Sequence, residues 1–312
     1  MKKFICLILA TGVACHINAQ LRPIPHEWRA TLKVVDDTGQ PVAGAKTWVS
    51  FYIAPSDEPK SSDLITGLTD ANGLFIAEHI DRSVYLGFHA EKTGYYPISI
   101  EYNLGFEDNA NAANWNPMQT LVLDRVLNPI PMYAKRVNEN PPILNQPVGY
   151  DLMVSDWIAP YGKGINTDII FTKVAYRKSG ADYEYKVTVD FKNAGDGIQT
   201  YTIPESEKGS GLQSPHEAPI DGYQSQLIKD RSAHPGEPTK SNYDENVKYF
   251  FRVRTVLDEN GNVVSAHYGK IYGDFMQFTY YLNPTPNSRN IEFDTKHNLL
   301  VGLKSTEQVR AP

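Results

Sequence analysis

The chain has 312 residues, of which 41% are hydrophobic, long enough for two domains of roughly 150 residues and apolar enough to fill a core in each. Its 36 acidic residues outnumber the 30 basic ones, a formal net charge of -6 at pH 7. That sign is wrong for gripping duplex phosphates, so no nucleic-acid partner is expected.

Residues 1–19 read as a secretory signal peptide. Lys2 and Lys3 form the basic start, Phe4 to Ala14 the apolar stretch, and Asn18-Ala19 a small-residue cleavage site before Gln20. The protein is therefore expected to be exported, to the periplasm, the cell surface or the medium. Cleavage would remove two lysines and leave 28 basic residues against 36 acidic ones, a net of −8. The apolar stretch is too short for a transmembrane helix, and no later run approaches the length of one, so no span is expected. Both cysteines, Cys6 and Cys15, lie inside the leader, which leaves the mature chain without thiol, disulfide or cysteine metal site. A second reading takes Gly12-Val13-Ala14-Cys15 as a lipoprotein signal with Cys15 acylated, although the glycine three places before the cysteine fits that motif poorly.

Beyond the leader the dominant period is two, the spacing of strands with one face buried. Trp28 to Val34 alternates apolar and polar residues without a fault. Val84, Leu86, Phe88 and Ala90 line a second strand, and Tyr183, Tyr185, Val187, Val189 and Phe191 a third. Val247 to Leu257 and Phe275 to Leu282 read as longer, more deeply buried strands. Asp36-Asp37-Thr38-Gly39, Asp70-Ala71-Asn72-Gly73 and Asp258-Glu259-Asn260-Gly261-Asn262 are turn signals, because glycine supplies positive φ and Asp or Asn side chains bond to the backbone two residues on. Asp258, Asn260 and Asn262 match the start of a calcium loop, but Gly269 stands where the closing glutamate is needed.

No stretch keeps a helical stripe, so the expected fold is all-β with very little helix: two β-sandwich units, the second a larger antiparallel domain. The first covers 28–127. Pro129, Pro131, Pro141, Pro142 and Pro147 suggest a linker over 128–149. The second covers 150–303, followed by a tail over 304–312, and its polar segment 204–246 reads as a long loop.

The first unit carries a resemblance. Ala30 to Val49, with Asp36-Asp37-Thr38-Gly39-Gln40-Pro41-Val42-Ala43-Gly44-Ala45 at its centre, is followed by Thr69-Asp70-Ala71-Asn72-Gly73-Leu74-Phe75 and Lys92-Thr93-Gly94-Tyr95-Tyr96. This succession resembles the carboxypeptidase regulatory-like, or transthyretin-like, domain over about 28–126. The resemblance implies a seven-stranded Ig-like sandwich that accompanies enzymes, receptors and adhesins without being catalytic itself. The Asn-rich segment from Asn103 to Met118 departs from the pattern by interrupting the last hairpin. Residues 150–312 resemble no family.

Catalytic and cofactor signals are sparse. Gly209-Ser210-Gly211 is not a nucleophile elbow and reads as flexible linker. His26, His79, His89, His216, His234, His267 and His297 lack zinc-like spacing, and phosphate-binding loops are absent. No catalytic residue, metal or cofactor is therefore assigned. Asp151, Asp156, Asp168, Asp221 and Asp274 lie near aromatic residues and keep open a polysaccharide hydrolase or lyase. The clearer signal is aromatic: 19 tyrosines, and rings in turn-rich segments at Tyr95, Tyr96, Trp115, Trp157 and Tyr161. Such side chains stack on sugar or peptide at little entropic cost. The expectation is a non-enzymatic interaction or carbohydrate-binding module, with a glycan or a surface protein as partner; a hydrolase or a structural envelope component are the alternatives. Trp157 has a competing reading, as an anchor between domains.

Overall fold

The computed structural model describes residues 26–52, 63–81, 83, 85–103, 116–275 and 277–312. The predicted leader with both cysteines, Trp115 and Val84 lie outside them. The described residues are almost entirely β-structure arranged as two sandwiches.

The first sandwich contains β1 (His26–Asp36), β2 (Lys46–Tyr52), β3 (Leu64–Leu68), β4 (Leu74–Asp81), β5 (Tyr85–Glu91), β6 (Ile98–Asn103) and β7 (Met118–Leu123). One sheet runs β4-β1-β7 and the other β3-β2-β5-β6. β1 pairs antiparallel with β4 and parallel with β7. The alternation read in β1 is realised: Trp28, Ala30, Leu32 and Val34 are all buried and meet Val49, Phe51, Leu86 and Phe88 from the facing sheet. Its turns use the predicted chemistry, with Asp36 Oδ1 accepting from the Thr38 and Gln40 amides and Asp70 Oδ1 from the Asn72 and Leu74 amides.

The second sandwich contains β8 (Ile130–Val137), β9 (Pro147–Asp151), β10 (Asp156–Trp157), β11 (Ile169–Ser179), β12 (Asp182–Asp190), β13 (Gly197–Thr202), β14 (Gln226–Ala233), β15 (Lys240–Ser241), β16 (Val247–Leu257), β17 (Val263–Gly273), β18 (Phe278–Leu282) and β19 (Phe293–Asn298). Its sheets run β10-β9-β11-β12-β14-β15 and β13-β16-β17-β18-β8-β19. All its pairs are antiparallel except β19 with β8. Tyr150, Phe171, Val189, Phe251, Val253, Ile271 and Leu282 fill the space between the sheets. The sheet that holds β16, β17 and β18 is buried on its other face too, where Phe250, Tyr268 and Tyr281 meet Ala218, Ile291 and Phe293. Burial on both faces is why these strands read as continuous apolar runs.

Three sequence expectations are corrected. Residues 130–137 of the supposed linker form β8, which lies between β18 and β19 with Met132, Ala134 and Val137 buried. Its prolines fit because no ladder needs their missing amides: β18 pairs only from Tyr133 onward, the pairing with β19 is irregular around Pro131, and Pro147 opens β9. The expected loop 204–246 contains β14, paired with β12 along its length. Its inward-phase residues are Leu227, Lys229, Arg231 and Ala233, so two cations hide the alternation. The expected tail packs back: the Arg136 amide donates to the Glu307 carbonyl, and the Tyr281 hydroxyl donates to the Ala311 carbonyl at 3.1 Å.

The sandwiches meet along a bonded seam. Buried Glu292 accepts from the Tyr96 hydroxyl at 2.8 Å and from the Leu127 and Asn128 amides at 2.9 and 2.6 Å. Gly209-Ser210-Gly211, expected as flexible linker, belongs to this seam. The Ser99 amide donates to the Gly209 carbonyl, the Gly211 amide donates to the Pro97 carbonyl, and Ser210 Oγ donates to Asp124 at 2.6 Å. Burial pushes the Asp124 carboxyl up, against the lowering effect of Ser210.

Gly209 has φ +83°, and a Cβ there would stand 1.8 Å from the Ser99 carbonyl oxygen. Gly209→Ala should therefore destabilise the chain by roughly 1–3 kcal/mol from backbone strain alone, with the clash in addition. Gly261→Ala, at φ +81° in open space, should cost no more than the strain; paired urea titrations would compare the two.

On the outer face of the sheet that holds β17, Lys270 is fully buried between the rings of Tyr272 and Tyr281, 5.2 and 4.9 Å away, with Nζ 3.1 Å from Ser214 Oγ. Burial lowers its amine from 10.5 to about 7. The unfolded chain thus holds a proton that the folded one sheds, and stability rises with pH above 7. Urea unfolding should show a gain on the order of 3 kcal/mol between pH 7 and about 9.5. Above that, tyrosines kept protonated by burial reverse the slope. Lys270→Met should raise stability at pH 7 and flatten the climb.

Candidate functional site

The five aromatic candidates do not converge. Trp157 is 5% exposed and lies edge-on to Tyr150 and Phe171, at 5.0 and 5.8 Å, within the second core. It is a core residue, neither a displayed ring nor an interdomain anchor, because β10 pairs with β9 and turns its side chain between the sheets. Tyr161 stays 43% exposed on a loop whose start is held by Asp156, which accepts from the Trp157 and Lys163 amides. Tyr96 is buried at the seam, and Tyr95 packs half-buried against the first core. Trp115 lies outside the described residues.

The aspartates separate by role. Asp151 and Asp168 do meet, but on Arg254: its guanidinium bonds Asp168 at 2.8 and 2.9 Å and Asp151 at 3.0 Å. A β-bulge and a φ of +55° aim Arg254 at them. Burial works against the Asp151 carboxylate, but the amides of Asn166, Val154 and Ile165, together with Arg254, hold it below the usual range. Burial dominates at Asp168 and raises it. With their oxygens committed to Arg254 and to backbone amides, these acids brace the 151–168 loop. Asp156 and Asp258 are likewise spent on turns, and Asp221 serves through its carbonyl.

Asp274 alone among these acids lines an open cleft of about 670 Å³ where the two sheets of the second sandwich diverge. Asn138 and Asn140 reach it from beyond β8, Lys173 from β11, Tyr185 from β12, Tyr243 from beyond β15, and Gln277 from before β18. A smaller hollow adjoins it, sharing Tyr185, Tyr243 and Asp274 and adding Lys229 and Arg231. Lys173 occupies the inward phase after Ile169 and Phe171, so its stem extends the core while its amine reaches the cleft. Burial lowers that amine, opposed by the charge of Asp274. Lys229 is lowered by burial in the same way; its Nζ donates to the Asn242 carbonyl at 2.7 Å and stands 5.6 Å from the Tyr249 ring. The Tyr249 hydroxyl is buried with no hydrogen-bond partner among the described residues. Its ring lies next to Lys229, which lines the smaller hollow.

Of the sequence candidates only Asp274 belongs to this cleft. The missed residues left a readable trace: lysine at inward positions of β11 and β14 marks where a sandwich stops being filled with hydrocarbon.

No protein-family model matches the chain, and no curated protein does. Among solved structures it is similar to 3-chlorocatechol 1,2-dioxygenase from Rhodococcus opacus, with 14% identity and a TM-score of 0.27 over 33% of this chain; the chain spans 61% of that one. The shaft pilin SpaA from Lactobacillus rhamnosus GG matches at 14% identity and a TM-score of 0.24, over 75% of this chain and 89% of that one. A DUF3823 family protein from Parabacteroides merdae matches at 8% identity and a TM-score of 0.21, over 86% and 98%. None of these bears on activity at such scores.

Arg254→Ala would leave two buried carboxylates without their counter-charge, at a cost of about 3–5 kcal/mol. Thermal unfolding should show that loss, and Asp151→Asn combined with Arg254→Ala should recover part of it.

Proposed function

We propose that the chain is an exported, non-catalytic β-sandwich protein that binds a saccharide in the cleft of its second sandwich. The observation that carries this reading is the gathering of Tyr185 and Tyr243 with Asn138, Gln277 and Asp274 around one open space. Tyrosine rings offer flat apolar faces to pyranose C–H groups, and amide and carboxylate groups answer sugar hydroxyls. The leader read in residues 1–19 supports export. The first sandwich, in the reading as a carboxypeptidase regulatory-like domain, is a rigid mount fixed by the Glu292 seam. Asp151 and Asp168, which come together, are bound to Arg254, which favours binding over hydrolysis.

A glycan array followed by calorimetry tests the reading. Tyr243 is 45% exposed, so Tyr243→Ala should leave the fold intact and lower saccharide affinity at least about tenfold. Failure of the intact protein to bind any glycan, or binding unchanged by both Tyr243→Ala and Tyr185→Ala, would overturn it.

A further inference from the structure

We propose that Lys173 and Asn140 are joined by a side-chain amide bond that the chain forms on itself. The inference is independent of the saccharide reading and concerns what ties the two sheets of the second sandwich together at its mouth.

Three observations carry it. The Lys173 amine donates to the Asn140 carboxamide oxygen, which sets the nucleophile beside the carbonyl group whose carbon it would attack. The lysine is 6% exposed, and burial favours its neutral form, which holds the lone pair that attack requires. The charge acting on that amine is the Asp274 carboxylate, which lines the same cleft. Two other lysines whose amines are lowered by burial offer a contrast. Lys229 meets a backbone carbonyl, and Lys270 meets a serine hydroxyl, so neither has a side-chain amide to attack. The Asn145 amide donates to the Lys173 carbonyl at 2.8 Å, tying the Asn140 segment to β11 and supplying the proximity that replaces a bimolecular encounter.

The chemistry balances without a co-reactant. Lys173 Nζ attacks Asn140 Cγ and forms the new C–N bond. Asp274 takes the proton that the amine sheds and delivers it to Asn140 Nδ2. The Cγ–Nδ2 bond then breaks, and ammonia leaves through the open cleft. Nothing is oxidised or reduced; one primary amide becomes one secondary amide. Asn140 follows β8 in one sheet and Lys173 belongs to β11 in the other, so the bond staples the sheets together where apolar filling ends. In a chain whose two cysteines both fall at Cys6 and Cys15, it would do the work of a disulfide.

The test is peptide mapping of the purified full-length product by tandem mass spectrometry. The expected result is a branched peptide linking residues 140 and 173, lighter by one ammonia than its two linear parts. Intact mass alone does not decide, because an N-terminal Gln20 also loses ammonia by cyclising. Lys173→Met and Asn140→Ala should each abolish the branched peptide, and Asp274→Asn should leave both partners mostly linear. Recovery of Lys173 and Asn140 only in linear peptides from the unsubstituted protein would overturn the proposal, whatever the variants do.

Discussion

Every inward-facing position of a sandwich strand must be apolar or partnered, and this two-residue constraint governs the molecule. Where it is met with hydrocarbon, as at Trp28, Ala30, Leu32 and Val34 or at Val187 and Val189, the sheets close completely. Where the inward phase turns to Lys173, Tyr185, Lys229 and Arg231, the sheets part and the cleft opens. Core and candidate site are therefore one pattern read at two places along the same strands. Tyr249 lies near the boundary between them: its ring belongs to the core, and the amine of Lys229, which lines the smaller hollow, stands 5.6 Å from it.

The buried polar groups follow the same rule. Arg254 answers Asp151 and Asp168, Glu292 gathers three donors from the first sandwich and the segment that leaves it, and Ser210 answers Asp124. Each acid lies where two chain segments distant in sequence converge, so its cost of desolvation is offset only when those segments are correctly placed. Such contacts specify an arrangement more than they add stability.

Much of the architecture is legible in the residues. The alternation from Trp28 to Val34 and from Val187 to Phe191, and the Asp-and-glycine turns at Gly39, Gly73 and Gly261, each rest on contacts within a few residues or on one buried face. Reading fails where a strand's surroundings differ from that simple case. β8 carries prolines where neighbouring ladders make no demand, and β14 carries cations where its inward face lines a cleft. Trp157 attracted attention by its turn-rich setting, yet a two-residue strand rotates it inward. Tyr185 was correctly phased, but phase does not say whether the space opposite is filled.

The amino-acid sequence by itself determines that this is a β protein, where five of its strands and three of its turns lie, and that no disulfide joins the described residues, because these follow from side-chain period, turn chemistry and the positions of two cysteines. Tertiary structure alone decides which acids meet, that Gly209-Ser210-Gly211 is a seam, and that Lys173, Tyr185, Tyr243 and Asp274 share one cleft. The physical reason is distance along the chain: those groups come from strands and turns of both sheets, and only the pairing and packing of the sheets puts them within reach of one another.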